Sequence, residues 1–470
     1  MKIIRHENEP QDKRENVTFN NLLKIKNLED IFFSYIQRKQ IVGIDNIDNQ
    51  KYRERLTENL FFINTTISDY NFSPYLERLI SKGRYKAPRI ISIPTIRDRI
   101  VLHCIKEYLH HVFPEHVNSE LINKKIPEVS DAITKYKDSF ILRFDISKFY
   151  DSIDHKLLFK KLNDRCNSDL VQKLIHKAIT NPTVPKKHRR QDNVLYRQHI
   201  GVPQGLAISN ILASIYLEDF DLNIKNNHAI YHYYRYVDDI LIVCQKRKYI
   251  KIQRIVNKSL NTMKLKNNTE KTQTFNRDQE FSFLSYNING KNICIKESSI
   301  QKHIDRLFST ITFYSRLFKN KEQQEKNISE EQLSKRFETD LNLSITGAIS
   351  SNRKYGWVFF FSATNNTGVF HRLNSIMETG LRRLIPQTIL NQVSIKSFIR
   401  TYYEIYYRPK GGYIENYDIY DTIEKKYDYL RFRGYLSQKD TWENEEIETM
   451  FIQVREKHIT SMLMDLGNLS

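Results

Sequence analysis

Two adjacent aspartates, Asp238 and Asp239, lie between a tyrosine-rich segment and a fully apolar segment of the chain. Both flanking segments have the composition of β-strands, which predicts a hairpin over residues 229–245. Carboxylates placed side by side at such a turn repel one another, and this repulsion raises the pKa of one of them. A bound divalent cation removes that penalty. Because an Asp-Asp pair is also common in a plain hairpin turn, the pair by itself leaves both interpretations open.

A third aspartate favours the metal interpretation. Asp145 follows the apolar segment Phe140–Phe144, and residues 139–146 alternate in the manner of a strand. A carboxylate in such surroundings is costly unless it has a function. Mg²⁺ prefers oxygen ligands and completes its coordination with substrate phosphates. On adjacent strands, Asp145 and Asp238 could hold two metal ions about 3.5–4 Å apart, as in-line phosphoryl displacement requires.

The positive charge of the chain is unevenly distributed. The 470 residues include 74 Lys and Arg against 55 Asp and Glu, a net charge of +19, of which +16 lies in residues 1–300. A basic body of this size predicts a polyanionic partner that binds more weakly as the salt concentration rises. A charge surplus that only keeps the protein soluble is the alternative.

Several classes of protein are disfavoured by the sequence. A membrane helix needs about 20 apolar residues, and no hydrophobic run approaches that length. The first ten residues are polar and have no apolar segment typical of a secretory signal. The four cysteines are far apart and form no Cys-x-x-Cys pair, so we expect reduced thiols. We therefore expect a cytoplasmic protein without a membrane partner.

Local patterns predict an α+β fold around an antiparallel sheet. Residues 90–94 have a β-branched run that ends at a proline, and Thr95 is placed to cap a helix over 95–109. Residues 205–225 have the pattern of one amphipathic helix, and the pattern beyond residue 300 is mostly helical. Seven tyrosines between 402 and 420 surround Arg408 and Lys410. We expect them to pack in the protein, and stacking on single-stranded bases is the alternative.

Six segments, in order along residues 70–290, resemble the motifs of reverse transcriptases. They are the fingers segment 89–101, motif A at 144–153, motif B at 201–210, motif C at 236–239, motif D at 265–272 and the primer grip at 281–286. The resemblance implies a right-hand polymerase fold: a helical lead-in (1–60), fingers and a palm with an antiparallel sheet (61–290), a helical thumb (291–350) and an α-helical C-terminal domain (351–470).

The resemblance also implies a role for individual residues. Tyr150 would be the steric gate against a ribose 2′-hydroxyl, with Phe149 as the rival, and Lys271 would act as general acid at the pyrophosphate. Two Mg²⁺ ions, which Mn²⁺ could replace, are the implied cofactors. The implied groups are catalytic (Asp145, Asp238, Asp239, Lys271), metal-binding (Asp145, Ile146, Asp238, Asp239), nucleotide-binding (Arg89, Arg84, Lys86, Tyr150, Gln204, Gly205) and primer-template (Tyr236, Phe283, Leu284).

Motif B, which continues as Leu206–Asn210, and the long C-terminal extension most resemble the defence-associated and abortive-infection reverse transcriptases of bacteria. That resemblance implies RNA-directed DNA synthesis from dNTPs on an RNA template, in anti-phage defence, with a structured noncoding RNA and a partner protein or second copy. A retron or group II intron-type enzyme is one alternative. An RNA-binding scaffold that keeps the fold without turnover is the other.

Overall fold

The computed structural model describes residues 18–37, 41–81, 87–117, 122–319, 328–436 and 441–465. Two compact units share the chain: unit 1 comprises residues 1–119 and 142–274, and unit 2 comprises residues 120–141 and 275–470. Of the helices that the structure describes, none combines the length and the apolar character that a bilayer span requires.

Unit 1 begins with a set of short helices and a small sheet. Strand β2 pairs antiparallel with β1, which confirms the strand predicted before Pro94. Helix α5 then begins at the predicted cap, because the Thr95 hydroxyl accepts a hydrogen bond from the backbone N–H of Asp98. The elements are α1 (Phe19–Leu22), α2 (Ile25–Ile31), α3 (Asn49–Glu54), α4 (Leu56–Thr66), β1 (Tyr75–Ile80), β2 (Arg89–Ile93) and α5 (Ile96–Val112).

The carboxylate of Asp98 organises the start of α5. It accepts hydrogen bonds from the hydroxyls of Tyr70 and Thr95, both at 2.7 Å, and from the backbone N–H of Ser73 at 3.2 Å. Burial raises its pKa to about 6 despite these donors. Asp98 therefore ties the loop before β1 to the first turn of the helix that follows β2.

The central sheet of unit 1 has the strand order β5-β6-β3-β7, and its β5-β6 pair is the predicted hairpin. Residues 139–145 form the predicted strand β3. Helix α6 (Ile122–Lys135), which belongs to unit 2, precedes β3 (Ser139–Asp145). After it come α7 (His155–Asn163), α8 (Asp169–Thr180), β4 (Thr183–Val184), α9 (Ser209–Tyr216), α10 (Glu218–Lys225), β5 (Ile230–Tyr236), β6 (Asp239–Gln245), α11 (Tyr249–Thr262) and β7 (Gln273–Asn276).

The single helix predicted over residues 205–225 is wrong in its bounds. Residues 202–208 are a loop, and the helical part is interrupted at Leu217, which ends α9 and precedes α10. Apolar residues in both helices are buried, so the amphipathic pattern was present on each side of the break. The break gives α10 an acidic first turn, with Glu218, Asp219 and Asp221, which is favourable at a helix N-terminus.

Unit 2 combines two three-stranded sheets with long helices. The sheets have the orders β10-β9-β8 and β12-β11-β13, so strands accompany the helices predicted beyond residue 350. The elements are β8 (Phe281–Phe283), β9 (Tyr286–Asn289), β10 (Asn292–Ile295), α12 (Glu297–Lys319), α13 (Glu330–Thr346), β11 (Ala348–Ser350), β12 (Arg353–Tyr355), α14 (Trp357–Phe360), α15 (Gly368–Leu384), α16 (Gln387–Leu390), α17 (Phe398–Tyr407), β13 (Glu415–Asn416), α18 (Ile423–Phe432) and α19 (Asn444–Asp465).

A buried hydrogen-bond network stabilises the C-terminal part of unit 2. His458 is buried, with Nδ1 2.7 Å from the Tyr417 hydroxyl and Nε2 2.8 Å from the Tyr435 hydroxyl. Its Nε2 also lies 3.2 Å from a carboxylate oxygen of Asp340, and the contact with His458 lowers the pKa of Asp340. Tyr417, predicted to be a packing residue, does pack in this core.

Candidate active site

The Asp-Asp pair lies at the turn between β5 and β6. Tyr236 pairs with Asp239 across the hairpin, so Val237 and Asp238 form a two-residue turn. Val237 has a φ of 56°, which is rare for a β-branched side chain. Such a conformation costs about 1–3 kcal/mol and persists only where neighbouring contacts enforce it. The turn is therefore held in place by its surroundings.

The structure brings Asp145 and Asp238 together, as the sequence predicted. Strand β3 lies next to β6 in the sheet, and the backbone N–H of Ile146 donates a 3.1 Å hydrogen bond to the carbonyl of Asp238. The Nζ of Lys271 donates hydrogen bonds to both oxygens of the Asp145 carboxylate, each at 2.9 Å. The amide of Asn268 donates to the same carboxylate at 3.1 Å. Three of the four predicted catalytic residues thus meet at one edge of the sheet.

Asp239 is engaged by an arginine. The guanidinium of Arg143 binds it in a bidentate manner, with Nε at 3.0 Å from one carboxylate oxygen and Nη2 at 2.8 Å from the other. Burial raises the pKa of Asp239, and Arg143 opposes that effect. A carboxylate committed to a bidentate ion pair has less freedom to serve as a metal ligand.

Asp238 is the carboxylate whose charge is least balanced by direct side-chain contacts. Burial raises its pKa, and the negative charges of Asp145 and Asp239 raise it further. Within the described part of the chain, no side chain donates a hydrogen bond to it. A half-buried acid with two acidic neighbours is the environment that a divalent cation stabilises. The donor set of Asp145 and Asp238, which consists of oxygen atoms, therefore suits Mg²⁺.

Arg235 stabilises the strained turn through a hydrogen bond to its backbone. Its Nη1 donates a 3.1 Å hydrogen bond to the carbonyl of Val237, while Nε donates to Asp221 of α10 at 2.8 Å and Nη2 donates to the other oxygen of that carboxylate. Tyr233 also donates its hydroxyl to Asp221. The side chain of Arg235 is only 10% exposed, so this ion pair is well shielded from water.

Tyr150, the predicted steric gate, lies beside helix α9. Its side chain is half-buried and its hydroxyl donates a 2.6 Å hydrogen bond to the amide oxygen of Asn210 on α9. Burial raises the pKa of Tyr150 to about 12; the charge of Asp238 raises it further, and that of Arg89 lowers it. The Tyr150 hydroxyl is therefore within electrostatic range of a predicted metal ligand, Asp238, and of a predicted nucleotide-binding residue, Arg89. The rival, Phe149, is 3% exposed and packs in the core.

The motif B loop is fastened to strand β2. The backbone N–H of Ser92 donates a 2.7 Å hydrogen bond to the carbonyl of Gln204. Gly205 has a φ of 106°, and a Cβ there would lie 2.7 Å from the carbonyl oxygen of Ser92 and 2.8 Å from the Ile91 side chain. Gly205 is therefore required by the close approach of two backbones as well as by its conformation.

Of the remaining predicted residues, one is half-buried, two are buried and two lie outside the described part of the chain. Tyr236, at the end of β5, is half-buried, and burial raises its pKa. Phe283 and Leu284 are 0% and 5% exposed, so they offer backbone rather than side chains at the turn before β9. Leu284 and Ser285 both have positive φ. Arg84 and Lys86 lie outside the described residues.

Sequence reasoning missed four residues that hold the site: Arg143, Arg235, Asn268 and Asn210. One of them had a usable signal, because Arg143 precedes Asp145 by two positions and side chains two apart on a strand share a face. The partners of Arg235 and Asn210 depend on how the helices pack, which no local pattern encodes.

A second acidic cluster lies elsewhere in unit 1. Among the described residues, Glu115, His116 and Glu218 have donor atoms that all lie within 4.8 Å of one another, a condition that the three aspartates do not meet. Arg165 already forms an ion pair with Glu115 and lies 3.6 Å from Glu218. Its guanidinium supplies the positive charge that a metal ion would bring, so we assign this cluster a structural role.

Comparison with known proteins agrees with the geometry of the aspartates. Residues 80–288 match the family "Reverse transcriptase (RNA-dependent DNA polymerase)". The chain is 25% identical to protein YkfC of Escherichia coli over 38% of its length, and 26% identical to the group II intron-encoded protein LtrA of Lactococcus lactis over 32%. The alignments span 49% and 25% of those two proteins.

Among solved structures, telomerase from Candida albicans in complex with a telomeric RNA fragment shows a distant likeness. The TM-score is 0.41 with 14% identity, over 89% of this chain and 68% of that one. The family match does not depend on this likeness, since it covers the predicted motifs and the sheet edge where Asp145 and Asp238 meet. Residues 80–288 of this α+β chain are therefore a reverse transcriptase domain.

Proposed function

We propose that the chain is an RNA-directed DNA polymerase that extends a 3′-hydroxyl with dNTPs. The observation that carries this proposal is the hydrogen bond from Ile146 to Asp238, which joins Asp145 and a half-buried Asp238 of raised pKa at one edge of the sheet. Lys271 and Arg143 pair with two of the three carboxylates, and the negative charge that remains at Asp238 favours a bound cation. Reverse transcriptases use divalent metal ions, and the oxygen donors present here fit Mg²⁺, with Mn²⁺ as a substitute.

The residues of the site have distinct tasks in this proposal. Asp145 and Asp238 would hold two Mg²⁺ ions, with Ile146 and Asp239 completing the predicted set. When bound, the ions lower the pKa of the 3′-hydroxyl and stabilise the charge of the leaving pyrophosphate. Arg143 keeps Asp239 ionised and oriented through its bidentate contact. Arg235 fixes the turn that presents Asp238.

We assign the groups around the nucleotide from the sequence motifs, with contacts of the described residues in support. Lys271 is 59% exposed and bonded to Asp145, so its ammonium can turn toward the pyrophosphate and donate a proton there. Arg89, with Arg84 and Lys86, would neutralise the triphosphate. Tyr150 would exclude the ribose 2′-hydroxyl. Gln204 and Gly205 form the wall that the Ser92 hydrogen bond positions.

The other predicted features are part of the same proposal. The fingers and palm would span 61–290 after a helical lead-in (1–60), with a thumb at 291–350 and the C-terminal domain at 351–470. Tyr236, Phe283 and Leu284 would contact the primer-template, the last two through their backbone. The RNA template, the DNA product and the dNTPs would meet in a cytoplasmic enzyme. We propose a structured noncoding RNA and a protein partner or second copy as further partners.

The biological context is proposed from motif B and the long C-terminal extension, which most resemble the defence-associated enzymes. A specific observation favours the alternative of an intron-type enzyme, namely the similarity to LtrA, although the alignment spans 25% of that protein. Sequencing of the nucleic acid that co-purifies with the chain separates the two contexts. A dedicated noncoding RNA supports defence, whereas a spliced intron supports the alternative.

Primer extension with purified protein, an RNA template, a DNA primer, dNTPs and Mg²⁺ tests the activity. We expect incorporation that Asp238→Asn abolishes and that Asp278→Asn, an exposed acid elsewhere, leaves unchanged. A chelator should stop the reaction and added Mg²⁺ should restore it. Incorporation that persists in Asp238→Asn would contradict the metal assignment. No incorporation by the wild type, with RNA binding intact, would favour the scaffold.

A further inference from the structure

Helix α17 carries two kinds of tyrosine. Tyr402 and Tyr406 are anchored, because their hydroxyls donate to the carbonyls of Thr364 (2.9 Å) and Ser362. Tyr406 is 53% exposed despite its anchor, whereas Tyr403 and Tyr407, 48% and 78% exposed, have hydroxyls that bond to no residue that the structure describes. We call Tyr403 and Tyr407 the outward pair. Packing, which the sequence favoured for all seven tyrosines of this region, does not account for these two.

The rings of the outward pair are arranged for stacking. Tyr403 and Tyr407 are four residues apart, so they lie on one face of the helix. Their planes differ by 18° and their centroids are 6.4 Å apart. Nearly parallel, solvent-facing rings offer flat surfaces to further planar groups. Exposed bases of a single strand are planar groups that stack on aromatic side chains whatever their sequence.

Positive charges surround the outward pair. Arg408 and Lys410, which directly follow the helix, are exposed and form no ion pair within the described ranges. Arg400, one turn before Tyr403, is 64% exposed and its guanidinium lies 4.3 Å from the ring centre of Tyr413. Glu404 is the acid on this helix, 14% exposed and paired with Arg400. The surface around the outward pair therefore favours an anion.

We propose that the outward pair and its cations bind single-stranded nucleic acid, with bases on Tyr403 and Tyr407 and phosphates on Arg408 and Lys410. A duplex hides its base faces in its own stack, so it would not use the rings. The cores of protein interfaces are depleted of lysine, so Lys410 beside the rings favours a nucleic acid over a protein partner. The proposal deepens the proposed function, since the strand would be a template or product of the polymerase.

Fluorescence anisotropy of a labelled polythymidine oligonucleotide tests the proposal. The full chain carrying Asp238→Asn is used, so that no extension occurs. We expect Tyr403→Ala with Tyr407→Ala to weaken binding by about tenfold or more, because stacking on each ring is lost. Tyr403→Phe with Tyr407→Phe should retain binding, since the rings remain. Phe432→Ala, which removes a 72% exposed aromatic of α18, is the matched control and should have no effect.

Salt titration separates the rings from the charges. Arg408→Gln with Lys410→Gln should reduce the slope of log affinity against log salt by about 1.4, since each phosphate contact on a single strand contributes about 0.7. The tyrosine variants should leave that slope unchanged. An equal loss for a fully paired duplex, or unchanged binding in Tyr403→Ala with Tyr407→Ala, would overturn the proposal.

Two further results distinguish this proposal from its alternatives. A shift from oligomer to monomer in Tyr403→Ala with Tyr407→Ala, without loss of oligonucleotide binding, would assign the surface to a protein interface and overturn the proposal. Extension of a primer on a short template reports on the catalytic site alone. If Tyr403→Ala with Tyr407→Ala extends the primer at the wild-type rate but no longer binds the oligonucleotide, the proposal is supported. If the wild type binds the strand through the outward pair and does not extend a primer, only the proposed function fails.

Discussion

Arg235 donates a 3.1 Å hydrogen bond from Nη1 to the carbonyl of Val237, the residue directly before Asp238. The rest of its guanidinium is bound to Asp221, so the arginine cannot move without breaking a shielded ion pair. Val237 has a φ of 56°, a conformation that its branched side chain disfavours. The turn that carries Asp238 is thus held against its own conformational preference by the ion pair between Arg235 and Asp221.

This relationship predicts that a second substitution, at Val237, restores activity lost by a substitution of Arg235. Arg235→Lys keeps the charge but cannot bond to both Asp221 oxygens and to Val237 at once. We expect the rate of dNTP incorporation to fall about tenfold or more, with unchanged oligonucleotide affinity. Val237→Gly in the same chain should restore much of the rate, because glycine adopts positive φ without strain. Single-turnover extension measures this. If glycine gives no restoration, the ion pair stabilises the fold without positioning the turn.

The two adjacent aspartates should respond differently to the loss of charge. Asp238→Asn removes a carboxylate whose pKa is raised by burial and by its acidic neighbours, so we expect the free energy of unfolding to rise while incorporation is lost. Asp239→Asn leaves Arg143 without its partner and should lower the free energy of unfolding by about 3 kcal/mol. Urea denaturation followed by circular dichroism compares them. Equal destabilisation of both variants would contradict this assignment.

Tyr150 should control sugar selection through the size of its ring. Tyr150→Val is expected to ease incorporation of ribonucleotides, since the group that blocks the 2′-hydroxyl is gone. Tyr150→Phe loses only the hydrogen bond to Asn210 and should keep the discrimination. Competition between dNTPs and rNTPs on one template measures the ratio. Unchanged discrimination in the valine variant would move the gate to another residue.

Acid should destabilise unit 2 through His303. This imidazole is 1% exposed, stacks on Trp357 at 4.5 Å, and has no hydrogen-bond partner in the described residues. Burial lowers the pKa of His303 to about 3, so the folded state takes up a proton less readily than the unfolded state. The stability it contributes is present above pH 6.5 and is lost by about 1.4 kcal/mol per unit as the pH falls below that value.

The test uses His303→Phe, which keeps an aromatic ring against Trp357 and removes the titrating group. We expect the urea midpoint of the wild type, followed by tryptophan fluorescence, to fall between pH 7 and pH 5. The midpoint of the variant should fall less over the same range. A parallel decline in both proteins would show that other groups determine the acid response.

Much of the site follows from local sequence rules. Alternation of apolar residues along β3, the hairpin composition around Val237 and the cap at Thr95 are each set by a few neighbouring residues, and each was confirmed. The meeting of Asp145 and Asp238 needed one more assumption, that their strands are adjacent, and the strand order confirms it.

What the sequence did not predict depends on packing between distant segments. Arg143 and Asp239 are 96 residues apart, and only the order of the strands brings them into contact. The break at Leu217 lies in a pattern that is amphipathic on both sides, so periodicity gave no warning. Tyr402 and Tyr403 are chemically identical neighbours, and their different fates depend on which side of α17 faces the rest of unit 2.

Two residues of strand β2, Arg89 and Ser92, interact with different parts of the site, and the spacing between them therefore matters. Arg89 begins the strand, and its charge opposes the rise in the pKa of Tyr150, while the backbone N–H of Ser92 donates a hydrogen bond to the carbonyl of Gln204. Deleting one residue between them would break the Gln204 bond or send the arginine to the opposite face of the sheet, since side chains alternate along a strand. Engineered insertions or deletions near this site therefore belong outside the interval from Arg89 to Ser92.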